Sequence, residues 1–191
     1  DGAADVEIGT ALAWRSGRNA ASHEVHLGTD PAALTLAGTV DSPTFAPDGM
    51  EFGSIYYWQI VEVNEADTVT AWPGEVWSFS TQEYALIDGF ETYNDDVDAK
   101  TTIFDTWLDG WVNNTGSTVG YLNAPFAEQT IVHSGRQSMP LTYDNSASPF
   151  YSEAERVFDD PQDWTIGGAD SLRLYFRGAA ANSPQTLYVT L

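Results

Sequence analysis

The first half of the chain is a succession of short apolar runs that alternate with polar residues and break every 8–12 positions, the spacing of strands in a β-sandwich. In Thr10–Arg15 the alternation puts Leu12 and Trp14 on one face, and Ser16–Asn19 is a turn. Ser22–Gly28 alternates again, so we expect a strand with Val25 and Leu27 inward and both histidines, His23 and His26, outward. Thr29-Asp30-Pro31 breaks that strand. Leu34 to Val40 then suits a short edge strand, and Ser42–Pro47 an extended edge segment with prolines. Ile55–Val63 is the strongest strand of the chain, and Glu75–Ser80 closes the unit.

Past Gln82–Ala85 the texture changes: aromatic and Asn/Asp residues become denser and the turns lengthen. Leu86–Glu91 opens a second unit. Thr102 to Trp111 mixes apolar and acidic residues and reads as a strand entering a loop. Ser138–Tyr143, Ala154–Phe158, Ser171–Phe176 and Thr186–Leu191 read as four clear strands. Long amphipathic helices, low-complexity tracts and internal repeats are absent from the sequence. The fold class expected is all-β: one sandwich over 1–83 and a second, jelly-roll-like one over 84–191.

The string Phe52-Gly53-Ser54-Ile55-Tyr56-Tyr57-Trp58 resembles the corner of fibronectin type III domains, with Tyr56 at the position of the corner tyrosine. Trp14 sits where such domains keep a core tryptophan, and Trp77–Thr81 is similar to their last strand. Trp14, Tyr56 and Trp58 are the structural residues this resemblance implies. The second unit resembles the galactose-binding-like jelly rolls of carbohydrate-binding modules. The resemblance is carried by Asp88-Gly89-Phe90-Glu91, Trp107 and Trp111, His133–Met139, Asp163-Trp164 and Ser171–Phe176. Those domains continue for further strands, so the resemblance implies a second domain that is incomplete at its C-terminus or completed by a neighbouring molecule. The opening at Asp1 reads as a processed or excised piece of a longer secreted bacterial protein.

Composition narrows the classes of partner. Seven basic and 28 acidic residues give a formal charge of −21, spread over both halves. Such a surface repels phosphate backbones and anionic lipid, so nucleic acid and membranes are poor partners. It suits calcium or simple solubility. Cysteine is absent, which removes disulfides and thiolate zinc sites but is compatible with export.

Three chemistries bear on the loop residues and carboxylates. Sugar binding needs exposed rings that stack on pyranose faces, and Trp107, Trp111, Tyr121, Phe150 and Tyr151 lie in the loop-rich region, Trp107 and Trp111 flanked by Asp105, Asp109, Asn113 and Asn114. For each ring the competing role is core packing. Calcium needs converging hard oxygens. The carbohydrate-module resemblance places Ca²⁺ near Glu91 and the backbone of Ser134–Gln137. Asn94-Asp95-Asp96-Val97-Asp98 spaces its carboxylates like half of a calcium loop, without the loop glycine or distal Glu, and otherwise reads as a solvated turn. The metal candidates are therefore Glu91, Asp95, Asp96 and Asp98. Catalysis has little support. Pairs such as Asp105/Asp109 and Glu153/Glu155 are expected by chance in so acidic a chain, and none of the hydrolase, phosphate-loop or dinucleotide motifs occurs. Asn113-Asn114-Thr115 is a glycosylation sequon.

The sequence thus leads to a non-catalytic extracellular or cell-surface module that recognises polysaccharide, with the first domain as a spacer. The alternative is a structural subunit of a surface layer or filament, assembled with copies of itself by β-strand pairing.

Overall fold

Alternation of apolar and polar side chains organises the N-terminal strands. In the computed structural model, which describes residues 1–64 and 66–191, they are β1 (Ala3–Val6), β2 (Leu12–Ala13), β3 (Ser22–Gly28), β4 (Thr35–Val40), β5 (Thr44–Phe45), β6 (Ile55–Val63) and β7 (Ala71–Thr81). Five of them form one sheet in the order β1-β7-β6-β3-β4, and β2 pairs with β5 in a second. Along β6 every second residue, Tyr56, Trp58 and Ile60, is buried, as period-2 geometry requires of a half-covered sheet. These side chains meet Leu12, Val25, Met50 and Phe79, with Trp14, Phe45 and Trp77 packed around them. The Trp58 and Trp77 rings approach edge-on at 4.7 Å. The Tyr56 hydroxyl turns back on its own chain and accepts from Glu51 N at 2.9 Å, tying the β5–β6 connection to the strand it leads into.

His23 departs from its expected outward position. It shares the parity of Val25, so it points inward and is 2% exposed, whereas His26 lies on the opposite face. Its polar ring is accommodated because the cross-strand partner is Glu62, whose Oε2 lies 2.5 Å from His23 Nδ1. The Trp14 indole N–H donates to the same nitrogen at 3.4 Å, and the two rings pack in a T-shape. Ser16 Oγ lies 3.4 Å from the far imidazole nitrogen, and Gly17 N donates to Glu62 Oε1 at 2.8 Å. The cluster fastens the 16–19 turn to β6.

The chain gathers into two compact units, Asp1–Ile87 with Gln162–Asp170, and Asp88–Pro161 with Ser171–Leu191. The sequence reading placed the division at 83/84 and gave the whole of 84–191 to the second unit. In the structure 162–170 packs with the first, where Phe52 N donates to Gly167 O at 2.9 Å.

The second unit is held by short elements: α1 (Ile103–Thr106), β8 (Trp107–Leu108), α2 (Gly110–Asn113), β9 (Ser117–Val119), β10 (Leu141–Tyr143) and β11 (Glu155–Arg156). β9 pairs with β10 and β8 with β11, both antiparallel. The strand expected to enter a loop over 102–111 is instead two single helical turns flanking β8. Each starts on a side-chain cap: Thr102 N and Oγ1 donate to Asp105 Oδ2, and Asp109 accepts from Trp111 N. Ile103, Val119 and Ala127 form the core, with Phe90, Tyr93, Phe104, Trp107, Phe126 and Met139 around them.

Two of the four strands expected in this unit are shortened, to Leu141–Tyr143 and Glu155–Arg156. The other two, Ser171–Phe176 and Thr186–Leu191, form no strand among the described residues. Their alternation is present in the sequence, but a strand exists only when another strand satisfies its backbone, and none lies alongside. Phe176 is 76% exposed and Leu191 82%. Burying such a side chain fully is worth about 1.5–3 kcal/mol, a stabilisation these residues forgo. Overall the chain is all-β, with strand far exceeding helix and, among the described residues, no sheet closed into a barrel. Among the described residues, no helix is long and apolar enough to cross a membrane.

Candidate functional site

The loop-rich part of the second unit is organised around one carboxylate. Asp88 accepts from Phe90 N (2.7 Å), the Tyr93 hydroxyl (2.5 Å) and the Trp107 indole N–H (2.8 Å), and pairs with Arg156 Nη1 at 2.9 Å. Its side chain is only 8% exposed, so this set of donors offsets the desolvation of the charge. Burial and the neighbouring Asp88 carboxylate push the Tyr93 phenol up to about 12. Trp107 is thereby fixed, half-buried, against Phe90 and the core, with its polar edge turned to Asp88. Of its two expected roles it fills the packing one.

Trp111 differs in every respect. It rides on α2, is 82% exposed and points its ring into solvent. The turn that carries it is nevertheless tightly held. Asp109, 5% exposed, caps α2 through Oδ1 and reaches Val119 N through Oδ2 at 2.7 Å. Asn114 closes the turn in a left-handed conformation (φ 58).

The residues that follow are stitched to 151–155. Gly116 N donates to Tyr151 O (2.9 Å), Asn113 Nδ2 to Glu153 O (3.2 Å) and Glu155 Oε1 (2.9 Å), and Ser117 Oγ to Glu153 O (2.5 Å). Gly116 is required by this seam, because a Cβ there would lie 1.9 Å from the Asp144 carbonyl oxygen. On the far side the Tyr188 hydroxyl donates to Glu153 Oε1, a bond that pushes the phenol up to about 12. Trp111, Tyr151 and Tyr188 therefore stand on three segments joined through Glu153 and Gly116. All three rings are exposed, as is Phe150, which precedes Tyr151 with φ 65.

Tyr121 lies on a different segment. Its hydroxyl donates to Glu128 Oε2, while Thr130 N and Ile131 N donate to Glu128 Oε1. These bonds, that from Tyr121 foremost, hold the Glu128 carboxyl down at about 2 and raise the Tyr121 phenol. The ring is 46% exposed, but its polar end is committed within its own loop.

The metal candidates are also engaged. Glu91 does meet the Gly135 loop: Oε1 accepts from Arg136 N (2.8 Å) and Gln137 N (3.2 Å), and Oε2 pairs with Arg136 Nε at 3.2 Å. Those backbone bonds and the guanidinium keep its carboxyl below the usual range. Gly135 (φ 73) leaves no room for a Cβ, which would fall 2.2 Å from Glu91 Oε1. Asp95 accepts from Phe126 N and Asp96 from Ala99 N, each at 2.8–2.9 Å, and Asp98 stands exposed beside them. Among the described residues no three carboxylate or histidine side chains converge on a point that could hold an ion.

Sequence reasoning missed Asp88 as a hub, Gly116 as a seam and Tyr188 as the partner of Glu153. Tyr188 was legible only as a strand residue. The signal for the α2 cap, Asp109 before Gly110-Trp111, was present and unread. Compared with family models, characterised proteins and solved structures, the chain matches none.

Proposed function

We propose that this chain is a non-catalytic extracellular module that holds polysaccharide on the Trp111 edge of its second unit, with the first unit as a spacer. The observation that carries this reading is the placement of Trp111: a large aromatic ring 82% exposed on a turn fixed by a buried cap and a seam of four hydrogen bonds. A flat ring held on a fixed turn beside carboxylates and amides suits a sugar, whose CH face stacks while its hydroxyls find acceptors. Tyr151 and Tyr188 extend the platform along a chain of several sugar units. The net charge of −21 favours neutral or basic polysaccharides over acidic ones.

Affinity electrophoresis through gels containing soluble polysaccharides tests the reading. The chain is expected to be retarded by at least one neutral glucan, mannan, xylan or galactan. Trp111→Ala is expected to lose at least tenfold in affinity, about 1.4 kcal/mol, with an unchanged fold. Retardation unaffected by Trp111→Ala would place the site elsewhere.

A further inference from the structure

The C-terminal 21 residues differ from the rest of the chain in pattern, pairing and charge. Leu172, Leu174 and Phe176 share one parity, as do Leu187, Val189 and Leu191, and all six are exposed. Among the described residues, the backbone of 171–191 makes one hydrogen bond to backbone, the local Asn182 N to Ala179 O at 3.0 Å. The segment is held only by side chains: Tyr143 to Ser183 O, Tyr188 to Glu153, and a stack of His133 on Tyr175 at 3.6 Å. It carries Arg173 and Arg177 and not one Asp or Glu. Removing those two from seven basic residues leaves five against 28 acidic ones in residues 1–170, a formal −23 facing +2.

The first unit offers the complement. Its five-stranded sheet ends on β1 and β4. β1 is four residues long, with Asp5 in a left-handed conformation (φ 59) and an irregular register. β4 is six residues long, with Leu36 55% exposed, and lies between Asp30 and Asp41. No lysine or arginine occurs between positions 19 and 99. An open edge in acidic surroundings is a template for a basic, alternating strand.

We propose that residues 171–191 of one copy add as a strand to the β4 edge of a second copy, with Arg173 and Arg177 set against its acidic surface. Donor and acceptor are different surfaces, so the contact is head-to-tail and builds a ring or an open chain. The proposal goes beyond the polysaccharide reading and does not depend on it.

Sedimentation velocity of the whole chain across a wide concentration range tests it, at low salt and at about 1 M salt, where screening shortens to ~3 Å. Mass is expected to rise with concentration and to fall at high salt. The donor variant Arg173→Glu/Arg177→Glu, at exposed positions outside the core, is expected to self-associate at least tenfold more weakly. The acceptor variant Thr39→Arg/Asp41→Arg is expected to do the same, and mixing the two variants, whose charges are swapped, is expected to restore association. Chains that stay monomeric at every concentration overturn the proposal, as does a monomer whose 171–191 amides resist hydrogen exchange, which would show the segment folded onto its own chain. Oligomers insensitive to both variants overturn it equally.

Discussion

Asp88→Ala is expected to weaken the second unit strongly. The change deletes the acceptor of four donors at once: Phe90 N–H, the Tyr93 hydroxyl, the Trp107 indole N–H and the Arg156 guanidinium. Asp88 is 8% exposed and Arg156 23%, so the guanidinium left behind is largely shielded from water. Removing one partner of such a pair costs about 3–5 kcal/mol. Water that enters the gap rescues part of the neutral donors, so about 4 kcal/mol is the expected loss. For a unit of this size each kcal/mol lowers Tm by roughly 4–8 °C, which puts the fall above about 15 °C. Amide exchange around Phe90, Tyr93 and Trp107 during urea unfolding reads it directly, apart from the other six tryptophans of the chain. Asp88→Asn separates charge from shape: it retains a carbonyl acceptor, loses less, and lowers the Tyr93 pKa by removing the adjacent charge. Burial is the larger cause of the Tyr93 shift, so that value is expected to stay above 10. A phenol raised to about 12 adds stability that is complete below pH 10 and lost as pH climbs toward 12, so this unit is expected to weaken first in alkali. A cost for Asp88→Ala below about 1 kcal/mol, far under the buried-pair range, would refute the argument that this carboxylate organises the loops.

The remaining expectations concern the seams and the first unit. Gly116→Ala drives a methyl against the Asp144 carbonyl at 1.9 Å and is expected to cost more than about 3 kcal/mol and to loosen Tyr151, seen as faster amide exchange around 116 and 151. His23→Ala strands Glu62 and is expected to cost about 3–5 kcal/mol, whereas replacing both His23 and Glu62 by apolar residues of similar volume is expected to recover most of that loss in thermal melts. The Glu128 carboxyl, lowered to about 2, is expected to stay ionised and bonded to Tyr121 until pH falls well below the ordinary carboxylate range. Its contribution is thus present above pH 4.5 and fades toward pH 2, and a carbon-detected carboxyl titration with a midpoint near 4.5 would contradict this.

How much of this was legible depended on whether a feature is local. The β6 strand announced itself by alternation, and Tyr56, Trp58 and Ile60 fall where period 2 puts them. The same rule put His23 in phase with Val25, and the error there came from letting residue type outweigh parity. The partner that makes burial tolerable, Glu62, lies 39 residues away, a pairing no local pattern reveals. Ser171–Phe176 and Thr186–Leu191 show the converse. Their pattern is strand-like, but alternation specifies which faces would be covered and is silent about what covers them. The short helices flanking β8 were missed although their caps, Thr102 with Asp105 and Asp109 before Gly110, were in plain sequence. Among the loop aromatics, composition named Trp107 and Trp111 alike. Long-range contacts, the hydrogen bond to Asp88 and the packing on Phe90, separate the packed ring from the exposed one.

The measurement that bears most directly on the polysaccharide reading is binding of the intact chain to a panel of neutral and basic polysaccharides, run beside Trp111→Ala and Trp111→Phe. The account predicts saturable binding to at least one of them, lost at least tenfold in Trp111→Ala and largely restored in Trp111→Phe. Absence of binding across the panel, or binding that ignores residue 111, would contradict it.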